Sequence, residues 1–197
     1  MKQIALTLLL TTTIFSVFCQ TSERSSFEQA RISITKKGML ALGGWGAVNM
    51  VGGVIGTKTR NPEVRYFHQM NVIWGSTNLL IAGLGYWSAA RENTNGLSLS
   101  SVLAHQHKVE KTFLLNAGLD VAYITTGLYL SERSRRNADP SKLKGYGNST
   151  MLQGGFLLVF DALMYSLHSV HGKKLTKFTD KVTVLGGPGS LVVNYRL

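Results

Sequence analysis

The sequence predicts an all-α membrane protein, with four antiparallel transmembrane helices behind an N-terminal signal segment and a short C-terminal β-hairpin. The first reason is composition. Only 16% of the 197 residues are charged, against about 25% in an ordinary soluble domain. The second is four apolar blocks of 19 to 24 residues, each long enough for a bilayer core. The third is that every block carries a carboxamide or carboxylate near its middle. Such a group is expensive in lipid and has to face inward.

Residues 1–19 read as an export signal. Lys2 precedes an uncharged run from Ile4 to Phe18, shorter than the roughly 20 residues a full span takes. Three outcomes stay open for this segment: cleavage after Cys19, retention as an anchor, or lipidation of Cys19. Residues 20–37 form a polar N-terminal segment, in which Ser26 to Arg31 begins a short surface helix. The bundle proper covers residues 38–171. Its spans are Gly38–Gly56, Phe67–Ala90, Thr112–Ser131 and Met151–Val170. The first two contain no charge, and the others one Asp each. In the third, Phe113, Leu115, Leu119, Val121, Ile124 and Leu128 point in every direction, without the polar stripe of a water-facing helix. Glycines recur in the blocks, with Gly52-x3-Gly56 as a ridge for close helix approach.

Between the spans, Asn61-Pro62 marks the first turn, and Asp139-Pro140 with Gly145-Tyr146-Gly147 breaks the third connection. Residues 172–197 form a basic tail. There Val182 and Val184, then Leu191, Val193 and Tyr195, alternate at period two around Gly186-Gly187-Pro188-Gly189, the pattern of one hairpin. With a cleaved signal, the outward segments hold more Lys and Arg than the inward ones, opposite to the positive-inside rule. Signal and loop charges therefore disagree on orientation. The net charge of +11 is spread between apolar blocks rather than along one face. It fits lipid head groups, with no nucleic-acid partner.

Asn49, Asn78, Asp120 and Asp161 each fall about 12 to 17 Å into their spans at 1.5 Å per residue. Asn116, one turn before Asp120, extends the same face. This midplane cluster is the candidate binding site. It acts either as hydrogen-bonded glue between helices or as a proton or ion relay. A weaker constellation is His105-x-His107 with His168-x2-His171. All four lie at one membrane end and offer ligands for Zn²⁺ or a similar metal. With one Cys there is neither a disulfide framework nor a Cys-based zinc site. No phosphate-binding glycine loop, nucleophile elbow or His-Glu-x2-His motif occurs, so no catalytic residue and no cofactor is implied.

The residues Met70-Asn71, Trp74-x3-Asn78, Asn116-x3-Asp120-x2-Tyr123, Gly145-Tyr146-Gly147 and Asp161 carry a resemblance. Through them the chain resembles an uncharacterised family of bacterial exported four-helix membrane proteins, a domain of unknown function, over most of residues 35–197. The resemblance implies export and the four-helix build, and no activity. The expected function is a structural or interaction role in the inner membrane, with the lipid bilayer as partner. Two alternatives come from other classes. One is a small proton-coupled or small-solute carrier using Asp120 and Asp161, which with four spans would need a homo-oligomer. The other is a metal-binding membrane protein or enzyme using the four histidines.

Overall fold

The computed structural model describes the backbone of residues 2–179, 182–187 and 190–195 and the side chains of residues 22–175. The signal segment with Cys19 thus lies outside the residues whose side chains are described. Four helices make up the bundle: α1 (Lys2–Gly56), α2 (Pro62–Ala90), α3 (Leu99–Ser134) and α4 (Pro140–Thr179). Past them, the backbone forms two short strands, β1 (Val182–Gly187) and β2 (Ser190–Tyr195), paired antiparallel with Val184 opposite Val193. The strands are not part of the bundle.

Each helix extends past the apolar block that announced it. Asn61 caps α2, its side-chain oxygen accepting from the Val64 amide at 3.3 Å, and Pro62 takes the first helical position. That is the place where a missing N–H costs nothing. Ser98 caps α3 in the same way, accepting from the Ser101 amide at 3.1 Å. α4 begins at Pro140, so Gly145-Tyr146-Gly147 lies inside the helix and breaks nothing. Tertiary packing explains these glycines. A Cβ on Gly147 would sit 2.7 Å from the Gly127 carbonyl of α3, and one on Gly145 would sit 2.9 Å from the Phe67 amide of α2. The residues read as breakers are where α4 approaches two neighbours.

The same holds between α1 and α2. A Cβ on Gly46 would lie 2.9 Å from the Gly75 carbonyl, and Gly53 faces Val72. Gly52, half of the expected ridge, meets nothing within 4 Å, nor do Gly44, Gly83 and Gly155. The close contacts between the two helices are Gly46, Gly53 and Gly56 on α1, the last against the His68 ring, and Gly75 on α2, so of the Gly52-x3-Gly56 pair only Gly56 lies on the face that meets α2.

Helix α1 packs antiparallel on α2, and α3 antiparallel on α4. The two hairpins join through a parallel contact of α2 with α4. The main core lies where they meet, around Met39, Leu42, Ala82, Phe113, Leu157, Phe160 and Met164. Outside it, each helix exposes large apolar side chains, such as Val48, Leu80, Leu115 and Val159.

Among the described residues, three helices are long and apolar enough to cross a membrane: Ser22–Gly56, Leu99–Ser134 and Pro140–Leu175. The expectation of four meets its exception at α2, which is not among them: Arg65, His68, Gln69, Asn71 and Asn78 dilute an otherwise apolar stretch.

A second correction concerns residues 20–37. They belong to the continuous helix α1, and Phe27, Glu28 and Arg31 are buried there. Together with the start of α3 and the end of α4 they make a polar head beyond the apolar belt. Its own small core is Phe27, Val102 and Leu175. α4 likewise runs through residue 172 without a break.

Candidate functional site

At mid-bundle, α1, α2 and α4 are pinned by one closed network. The Trp45 indole donates to Gln153 Oε1 at 2.8 Å. Gln153 Nε2 donates to Asn49 Oδ1 at 2.7 Å and to Asn71 Oδ1 at 3.1 Å. Ser149 Oγ donates to the same Asn71 oxygen at 2.6 Å. Asn49 Nδ2 is satisfied by the Trp45 carbonyl at 2.8 Å. Gln153 is wholly buried, and the Trp45 ring stacks on Phe156 with centroids 4.0 Å apart. A buried amide is tolerable when its bonds are made, and both ends of Gln153 and of Asn49 are bonded here.

The Asp residues form a separate unit. Asp120 on α3 and Asp161 on α4 are within side-chain hydrogen-bonding reach of each other. Both are nearly inaccessible, at 2% and 4% exposure. A carboxylate only accepts, so a hydrogen bond between two carboxyl groups needs a proton on one of them. The α3–α4 register sets this pair, since Gly154 lets α4 come against the Asp120 backbone.

Asn78, also buried, joins neither group by a direct bond, and its Nδ2 has no partner among the described residues. The same is true of Trp74 Nε1 and Asp120 Oδ2. Asn116 is partly buried, one turn from Asp120.

The expected midplane cluster is therefore two units: Asn49 in a satisfied network, and Asp120 with Asp161. The residues that complete the first are Asn71, Ser149 and Gln153. Asn71 was legible seven residues before Asn78 on the same face. The signal for Gln153 is its place at the start of the α4 stripe Gln153, Leu157, Phe160, Met164, His168, all buried.

The four histidines sit at the head end and find different partners. His105 Nδ1 lies 3.2 Å from Glu28. His107, largely exposed, lies 3.7 Å from Glu110. His168 Nε2 meets Thr35 Oγ1 at 3.3 Å, and His171 Nε2 meets the Phe27 carbonyl at 3.0 Å while stacking on the Phe27 ring. Donor atoms of Glu28, Glu92 and His105 do come within 4.8 Å of one another. The Arg31 guanidinium already pairs with both carboxylates, Glu28 at 2.7 Å and Glu92 as well. It supplies the positive charge that a metal would bring. Arg31 and Glu28 are 2% and 1% exposed, so this is a buried ion pair holding the α1 arm to the α2–α3 connection. Near it, Gln106 Nε2 donates to the His168 carbonyl at 2.6 Å and to Glu110 at 2.7 Å.

Comparison with known families is decisive on one point, since a family model matches residues 41–162. The chain belongs to DUF6992, a family of unknown function. No curated protein and no solved structure matches it. The stretch matched to DUF6992 contains the whole mid-bundle set, from Asn49 to Asp161. It leaves out Glu28 and Arg31 of the head and, at the other end, His168 and His171.

Proposed function

We propose that this DUF6992 chain is a multipass inner-membrane protein, exported through its N-terminal signal, in which all four helices cross the bilayer. Its role is structural or interaction-based, without covalent chemistry. One observation carries the reading: the bundle is apolar on its outside and keeps its mid-bundle polar groups inside. Ile55, Ile73, Leu80, Leu115, Leu128 and Val170 are more than half exposed, while Asn49, Asn78, Gln153, Asp120 and Asp161 are buried. In water, an apolar surface that surrounds the whole bundle would drive association. In lipid it is the expected exterior, and the polar groups are forced inward. α2 takes part because its outward face is Ile73, Leu80, Ile81 and Leu84. Its polar residues Asn71 and Asn78 are buried. Trp87, exposed under the Arg91 guanidinium at 4.3 Å, suits the interface at its end.

The test is cysteine-scanning accessibility on the full chain in intact membranes. Single cysteines at positions 58, 93 and 137 should react with a membrane-impermeant maleimide, 93 from the opposite side to the other two. Cysteines at 80 and 159 should stay unreacted. Labelling of 80 and 159 as fast as the loops, or a chain monodisperse without detergent, rejects the membrane reading.

A second reading is favoured by the contact of Asp120 with Asp161: a proton held there serves a small proton-coupled carrier. In proteoliposomes, Asp120→Asn and Asp161→Asn should then each abolish a proton flux that the unmodified chain supports. If only stability changes, the pair is glue.

A further inference from the structure

The α2 and α3 backbones do not pack against each other among the described residues. The Trp74 and Tyr123 rings bridge them instead, edge to face with centroids 5.0 Å apart. That contact fixes what lies one turn away. Asn78 follows Trp74 by four residues and so shares its face of α2. Asp120 precedes Tyr123 by three and shares its face of α3. The two helices run in opposite directions, so both steps go toward the same end of the bundle. Asn78 and Asp120 therefore arrive at one level, beside Asp161, where only side chains span the gap between α2 and α3.

Three polar atoms on these faces, Asn78 Nδ2, Trp74 Nε1 and Asp120 Oδ2, are buried and unpaired. Leaving a buried donor or acceptor unmade costs about 1 to 3 kcal/mol. One orphan is ordinary, but three on neighbouring faces within about one helical turn imply an occupant. Its chemistry follows from theirs. An indole N–H only donates and an ionised carboxylate only accepts. A cation would face the Trp74 and Asn78 N–H groups, and an anion would face the carboxyl pair. A neutral molecule with a hydroxyl group suits both.

We propose that a neutral hydroxyl-bearing molecule, water or a small alcohol, binds between α2 and α3 at mid-bundle. It accepts from Trp74 Nε1 and Asn78 Nδ2 and donates to Asp120 Oδ2. The site is independent of whether Asp120 and Asp161 move a proton across the membrane, and it is read at equilibrium.

The experiment is NMR of the full chain, with ¹⁵N-labelled tryptophan, in lipid nanodiscs. The protein has three tryptophans, so three indole N–H signals appear, and Trp74→Phe identifies one. A cross-peak from the Trp74 indole proton to water, unaffected by added ethanol or glycerol, identifies the occupant as water. A saturable shift with either alcohol identifies an alcohol site. In both cases Asn78→Leu should move the Trp74 signal by more than its linewidth while leaving the Trp45 signal in place. The Trp45 signal, held by Gln153, reports that the fold is intact. A Trp74 indole with no cross-peak to water, no response to either alcohol and no response to Asn78→Leu overturns the proposal. None of these outcomes depends on flux, so the carrier reading stands or falls separately.

Discussion

Replacing Gln153 by Leu tests the mid-bundle network most directly. Gln153 makes three interhelical hydrogen bonds, to Trp45, Asn49 and Asn71, at 2.8, 2.7 and 3.1 Å. Interhelical bonds in membrane proteins average about 0.6 kcal/mol and reach about 1.7. Three of them come to about 2 kcal/mol, with a ceiling of about 5. Leu fills nearly the same space, so little is added for a cavity. Asn71 keeps its bond from Ser149 at 2.6 Å, whereas the Trp45 N–H and the Asn49 carbonyl are left bare. The expected loss is therefore about 2 kcal/mol. It is measured by reversible unfolding in mixed micelles, titrating dodecyl sulfate and following helical circular dichroism. Leu163→Ala, at a side chain exposed on the outer face, should stay within about 0.5 kcal/mol as the control. A double-mutant cycle with Trp45→Phe, which removes the indole donor, should return a coupling of about 0.6 to 1.7 kcal/mol. If Gln153→Leu unfolds with the unmodified chain to within about 0.5 kcal/mol, the network does not hold the helices together.

Two further predictions follow from close packing and from the head. Gly75→Ala places a Cβ 2.5 Å from the Met50 amide and 2.6 Å from the Gly46 carbonyl, both backbone atoms that cannot turn aside. It should destabilise by about 1 to 3 kcal/mol, whereas Gly52→Ala, which meets nothing, should be neutral or slightly stabilising by the same unfolding assay. Arg31→Met strips a buried carboxylate of its partner and should cost about 3 to 5 kcal/mol, read as faster trypsin cleavage at Lys36 and Lys108. Glu28→Leu added to Arg31→Met should recover most of that loss, because an apolar pair leaves no buried charge. If the double variant is as labile as the single, the ion pair is not what holds the arm.

Two turn signals show where sequence reading succeeds and where it stops. Asn61-Pro62 is a local signal, and it marks the α2 cap because cap chemistry involves only residues a few positions apart. Gly145-Tyr146-Gly147 is equally local to the eye, yet its meaning is set by Gly127 and Phe67, far away in the chain. Helix propensity reads such glycines as breaks, and neighbouring backbone overrides it. The polar head is a similar case. Glu28 and Arg31 sit three apart and look like a solvated helix pair, and nothing nearby announces that Glu92 and His105 close over them.

Taken alone, the order of residues determined the helical blocks, the inward turn of one polar group in each, and membership of a family of unknown function. These are consequences of hydropathy and spacing, which act over a few turns. Only the tertiary structure decided which polar groups meet. It put Asn49 with Gln153 and Asn71, paired Asp120 with Asp161, and left Asn78 and Trp74 facing the Asp120 level without partners. The rotation and register of each helix against its neighbours set these meetings, and those depend on glycine contacts between segments up to some eighty residues apart.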